Sequence, residues 1–282
     1  MLSSGTVWRG LPPPRSSTKK IKGKTVPVPQ TAMGRVAELG ERNIENSQRT
    51  HGELKGSKKK LFNALSGNIG SYYLTHFSSH AFPDGDINLL SREQLKSCGI
   101  VFDEENTTDV DLEEFATDDF VFMGLEAGEG SIPLKKKSKF GDNLFRINLT
   151  KVDPDSISSS LVQLNDLLYC DERPSKKDPN WLHPSEERAF RSLSHSPKDV
   201  IYRGHQFLNG ISHQIVADLE DMPKSRANIT GSIKGGYMNR DLKNSVVNSF
   251  YRPQVLFPQT VTLPKEGTER YDTSGSEPTL KK

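Results

Sequence analysis

The chain of 282 residues has only two cysteines, Cys98 and Cys170, and they fall in no Cys-x-x-Cys or Cys/His spacing. A disulfide framework is thereby excluded, a zinc site has no signature, and a reducing compartment fits best. Apolar residues are scarce as well, at 33% of the chain with a mean hydropathy of −0.63. No run approaches the roughly 18 apolar residues that cross a bilayer. Met1 to Gly5 lead into no apolar signal-peptide core, so a chain without a transmembrane segment or conventional secretory signal is expected. Also missing are a GxSxG elbow, a Walker loop, HExxH and GxGxxG, which removes the commonest hydrolase, nucleotidase, metalloprotease and dinucleotide-fold signatures. No internal repeat is visible.

The formal net charge of +2 conceals an asymmetry, because residues 1–60 hold 13 Lys or Arg against four Glu. Residues 10–30 are rich in Pro, Ser, Thr and Lys, with Pro12-Pro13-Pro14 and Val26-Pro27-Val28-Pro29 favouring extended, unpaired backbone. Residues 1–59 therefore read as a disordered basic arm. Ala32, Val36, Leu39 and Ile44 mark a helix within it whose apolar face is sparse enough to order only against a partner. Without interleaved aromatics or a binding motif, the arm reads as a solvated tail and not as a nucleic-acid binder.

Residues 60–263 carry the periodic patterns of one globular domain, and 264–282 read as a disordered polar tail. Leu61, Phe62, Leu65 and Ile69 form the stripe of a short helix, and Tyr72 to Phe77 is dense enough in aromatic and β-branched residues to be a central strand. Ile87 to Cys98 reads as a helix capped by Asn88 or Ser91 and stopped by Gly99. Nine Asp or Glu crowd 103–119, a surface suited to a basic partner. Strands are expected at 120–125, 145–149, 200–202, 245–251 and 255–261, and helices at 161–168 and 207–219. The expected class is α+β: a mixed twisted sheet with flanking helices.

Four clusters carry the chemistry: Tyr73-Leu74-Thr75-His76-Phe77-Ser78-Ser79, Asp119-Phe120-Val121-Phe122, Ser138-Lys139-Phe140-Gly141, and Tyr202-Arg203-Gly204 running into Asn209-Gly210-Ile211. Their order and spacing, over residues 70–220, resemble those of a diverged group of bacterial ADP-ribosyltransferase toxins and type III secreted effectors. The resemblance implies the ADP-ribosyltransferase fold, NAD as co-substrate and transfer of ADP-ribose to a host protein. It further implies secretion into the host cell cytoplasm, with the arm as export signal and site for a secretion chaperone; a cytoplasmic protein is the alternative.

By that resemblance His76 positions the nicotinamide ribose, Phe77 or Phe122 stacks on the ring, Ser78 and Ser79 hydrogen-bond nearby, and Phe140 belongs to the cofactor-binding set. Asn209 stands where the group has its catalytic carboxylate. An amide supplies no charge to oppose an oxocarbenium ion, so the chain is inactive, slow, or uses Asp119, Asp218 or Glu220 instead. The plain alternative makes Phe122 a core filler, Lys135-Lys136-Lys137 and Lys139 solvated, and Asn209-Gly210 a turn pair. Two other functions stay open: a catalytically dead or unrelated module binding a partner through 103–119, and a cysteine hydrolase pairing Cys98 or Cys170 with His183, His195, His205 or His213. Cys98 at a helix C-terminus has its thiolate disfavoured by the dipole.

Overall fold

The computed structural model describes residues 17–21, 24–28, 32–82, 85–102, 119–128, 138, 140–164, 200–221, 244, 246–275 and 278–281. Strand formation is densest where the sequence puts β-branched and aromatic residues together. Tyr72–Ser78 (β3) sits mid-sheet, and Phe120–Ala127 (β5) and Asn143–Asn148 (β6) pair with its two edges. Gln254–Pro258 (β9), Leu161–Gln163 (β7) and Ile201–Arg203 (β8) continue the sheet beyond β5, while Thr268–Asp272 (β11) and Thr279–Leu280 (β12) continue it beyond β6. The order is β12-β11-β6-β3-β5-β9-β7-β8, and every described ladder is antiparallel. With helices flanking this sheet, the architecture is α+β, the class expected from the sequence.

One face carries the main core. Side chains alternate across a sheet, so Tyr72 and Leu74 of β3 share a face with Leu125 and Met123 of β5 and with Phe145 and Ile147 of β6. Helices Gly56–Ser66 (α2) and Phe207–Asp221 (α5) deliver Leu61, Leu65, Ile211 and Ile215 to that core. The pair Ile87–Leu90 (β4) and Thr260–Leu263 (β10) delivers Ile87, Leu89, Val261 and Leu263. β10 follows β9 after Gln259, whose φ of 60° turns the chain out of the large sheet and into the small one.

On the other face, a smaller cluster unites Phe120, Leu161, Ile201 and Leu256 with Leu39 of Ala32–His51 (α1). Asn43 donates its side-chain amide to the carbonyl of Ile201 at 3.1 Å, so α1 occupies the edge that β8 would otherwise present unpaired. The short hairpin Ser17–Ile21 (β1) and Lys24–Val28 (β2) precedes α1. No helix of the described residues is long and apolar enough to cross a membrane.

Several local expectations are corrected. The helix expected over 87–98 is β4 followed by Arg92–Ser97 (α3), because Ser91 breaks the run by accepting the Gln94 amide as an N-cap. Leu161 begins β7 and not a helix, after Pro154–Ser159 (α4), which Asp153 caps. Residues 246–251 form a π-helical turn in place of a strand. The arm expected to be disordered over 1–59 contains α1 seated on β8, and the tail expected over 264–282 contains β11 and β12, whose main chains complete the sheet. The acidic stretch 103–118, Lys135 to Lys137, Lys139, Cys170, His183 and His195 lie outside the described residues.

Candidate functional site

Three of the four clusters meet where β3 ends. The ladder between β3 and β5 is registered as far as Thr75 opposite Gly124. Beyond it the His76 imidazole takes over, with Nδ1 2.9 Å from the Phe122 carbonyl oxygen. That oxygen only accepts, so Nδ1 carries the proton and Nε2 keeps its lone pair. Burial disfavours the charged ring and lowers its pKa, the Phe122 hydrogen bond opposing this in part. The result is a neutral imidazole fixed in one tautomer, with an acceptor nitrogen.

Ser78 and Ser79 follow directly. The Asn143 side-chain amide donates to both of their carbonyl oxygens at 3.2 Å each, and the Ser78 hydroxyl accepts the His80 amide at 3.0 Å. Gly141 packs closely on this backbone. A Cβ on it would lie 2.2 Å from the Ser79 nitrogen, and its φ of 130° is open to glycine alone. The bridge between Ser138 and Gly141 leaves the half-exposed Phe140 ring in the intervening turn.

The stacking candidates divide. Phe77 and Phe122 both point to the face opposite His76, and Phe122 packs against the Leu39, Leu161 and Leu256 cluster. Phe122, a stacking residue by the resemblance and a core filler by the plain alternative, is thus half-buried on that smaller core. Asn209 is exposed on α5, following β8. Four inter-strand spacings, roughly 19 Å, separate β8 from β3. The fourth cluster joins the others through the main core, where Tyr202 and Ile211 lie with Leu74 and Val121, while its strand β8 stands four positions from β3.

Among the alternative carboxylates, Asp218 is buried and engaged by Tyr251 Oη and Gln214 Nε2, both at 2.8 Å. Burial, then the Asp218 charge, push the Tyr251 phenol well above its ordinary range. Asp119 heads β5 at the end of the sheet where β3 finishes, with Ser91 Oγ and Gln259 Nε2 each 3.4 Å from its carboxylate. Neither the Glu220 nor the His205 side chain is described. His213 lies against Phe62 with ring centroids 4.6 Å apart, and Cys98 is exposed beside Ser97 Oγ at 3.9 Å. No group of three metal-ligating side chains occurs among the described residues.

The structure adds a feature that sequence reading missed. A lateral row of residues crosses the same face as Phe77 and Phe122: Glu269, Arg146, Thr75, Gly124, Gln254 and Gln163, in register from β11 to β7. Buried Arg146 pairs with Glu269 at 2.9 Å, donates to the Gly128 carbonyl at 2.9 Å, and stacks 3.5 Å over the Tyr73 ring. Thr75 donates to Glu126 at 3.2 Å. Gln163 is 1% exposed, yet neither atom of its amide has a hydrogen-bond partner among the described residues. In sequence these are the polar members of alternating strands, whose side chains ordinarily face solvent. No family model matches the chain, and no curated protein is detectably similar to it.

Proposed function

We propose that this chain is an ADP-ribosyltransferase-like effector that takes NAD where β3, β5 and the 138–141 turn meet. One observation carries the reading. Clusters dispersed over more than sixty residues, from His76 through Phe122 to Gly141, lie at one strand end, joined by the His76–Phe122 bond and the seating of Gly141 on Ser78 and Ser79.

The chemistry follows from what each group offers. A neutral His76 with Nε2 as acceptor suits a ribose hydroxyl, the Ser78 and Ser79 hydroxyls suit polar atoms beside it, and Phe140 offers a ring to a planar group. In the transfer, the bond between nicotinamide and ribose breaks with its electron pair leaving on the nicotinamide. The acceptor on the target protein then bonds to the ribose carbon and gives up its proton. Asp119, which heads β5 at the same end of the sheet, is the carboxylate among the described residues that we assign to oppose the positive charge developing between these events. Delivery into a host cell, with the basic arm as export and chaperone-binding segment, belongs to the same proposal.

Calorimetric titration with NAD and incubation with labelled NAD and a host-cell lysate test it. Wild type is expected to bind NAD and transfer label, and Asp119→Asn to bind NAD but transfer at least tenfold less. Absence of both binding and transfer in wild type overturns the reading. Binding without transfer favours a second reading, a catalytically inert module that captures a partner. The uncharged, exposed Asn209 and the engagement of Asp218 by Tyr251 support that reading.

A further inference from the structure

We propose that Lys281 is a positioning residue, whose ammonium orients the Asn143 carboxamide and through it fixes the Ser78–Ser79 backbone at the end of β3. The deduction begins with a satisfaction problem. Ser78, opposite Asn143, is the last β3 residue registered against β6; past it the main chain leaves the ladder, so the Ser79 carbonyl needs a donor from elsewhere and the Ser78 carbonyl has a lone pair open to a second one. Asn143, buried at the first position of β6, supplies both through Nδ2 at 3.2 Å each.

A carboxamide can sit in two orientations related by a half-turn, and only one of them is useful here. Reversed, it would set Oδ1 against two carbonyl oxygens and Nδ2 against an ammonium. Lys281 removes the ambiguity, because its Nζ lies 2.7 Å from Asn143 Oδ1 and an ammonium tolerates only the acceptor end.

Lys281 is itself held in place. Its backbone amide donates to the Arg270 carbonyl at 2.7 Å, and its Nζ lies 3.4 Å from Asp272 Oδ2. Asp272 is in turn the β11 residue opposite Asn143. The relay therefore runs from a segment that sequence reading assigned to a disordered tail, through the sheet edge, to the strand end that carries His76. Gly141 also packs closely on the same two residues, leaving no room for a Cβ beside the Ser78 carbonyl and the Ser79 nitrogen.

Any effect on catalysis rests on the function proposed above; the relay itself does not. Hydrogen exchange on the full chain separates the two. In Lys281→Met, which keeps length and loses charge, amides of 79–82 are expected to exchange about threefold to tenfold faster, with those of 72–75 unchanged. Lys281→Arg restores the wild-type pattern. The same Met variant is expected to bind NAD about threefold to tenfold more weakly, again with rescue by Arg.

Unchanged exchange at 79–82 overturns the proposal. So does an increase spread evenly over the sheet or not rescued by Arg, since either marks Lys281 as a general prop for β12. Failure of wild type to bind NAD strikes the functional reading alone, and the exchange result still decides the relay.

Discussion

Gly210→Ala sets two opposing effects against each other. Gly210 lies in the first turns of α5, buried, where glycine gives up about 1 kcal/mol of helix propensity relative to alanine. On an exposed helix the substitution would stabilise. Here a Cβ would lie 2.3 Å from Cδ1 and 2.4 Å from Cγ of Tyr202, well inside contact distance. Tyr202 is 1% exposed in β8, so its ring has nowhere to retreat. Overpacking of this kind costs about 1–3 kcal/mol, and contacts this close belong at the upper end. Subtracting the propensity gain leaves a net loss of about 2 kcal/mol. For a chain of this size that is a fall in melting temperature of roughly 4–8 °C. Asn209→Ala is the control, since it changes an exposed neighbour and should stay within about 0.5 kcal/mol of wild type. Thermal denaturation followed by circular dichroism measures both. If Gly210→Ala melts at or above the wild-type temperature, α5 does not pack on β8 as described, and the glycine has no packing role.

Leu39→Ala should lose about 2–5 kcal/mol, because Leu39 is 1% exposed in the cluster that seats α1. Limited proteolysis should then cut within 32–51 before the sheet, and unchanged cleavage would argue against a docked helix. Tyr251→Phe leaves buried Asp218 short of one donor and should lower stability by about 1.5–3 kcal/mol, read from urea midpoints. Gln163→Met removes a buried amide with both ends unpartnered among the described residues and should raise stability by about 1–2 kcal/mol, seen as a higher urea midpoint; a lower midpoint would mean the amide is satisfied. His76 should impose a pH dependence, because its pKa is depressed when folded while the unfolded ring titrates near about 6.5. Its contribution is full above that pH and is lost progressively as pH falls toward the folded-state pKa. Denaturant midpoints between pH 8 and pH 5.5 should fall less in His76→Gln than in wild type.

What sequence reading captured were elements whose pattern is their own. Tyr72 to Phe77 and Phe120 to Leu125 are strands because strongly β-prone residues stand together, and Phe207 to Leu219 is a helix because its apolar residues keep helical spacing. The errors fell where a partner distant in sequence decides. β11 reads Thr-Glu-Arg-Tyr-Asp, with no apolar face, and is a strand because β6 offers it a ladder. Leu161 and Val162 look helical with the leucines that follow, yet β9 and β8 flank them. The sparse apolar face of α1 suffices because Asn43 also finds a carbonyl 158 residues away. At the site, the motifs around His76, Phe122 and Gly141 were legible as clusters. The roles of Asn143 and Lys281 were not, since an asparagine on a strand and a lysine in a polar segment carry no local signal of what they touch.

The position of β11 beside β6 has a consequence for how the protein is made. β6 gains β3 as soon as it is synthesised, but Arg146 waits for Glu269, 123 residues later. At a synthesis rate of roughly 5–20 residues per second, that interval is on the order of ten seconds. Throughout it, the nascent sheet shows an open strand edge, a ready template for any other extended segment. Until β11 arrives that edge is open to strand exchange, which crowding of several ribosomes on one message would favour between neighbouring copies.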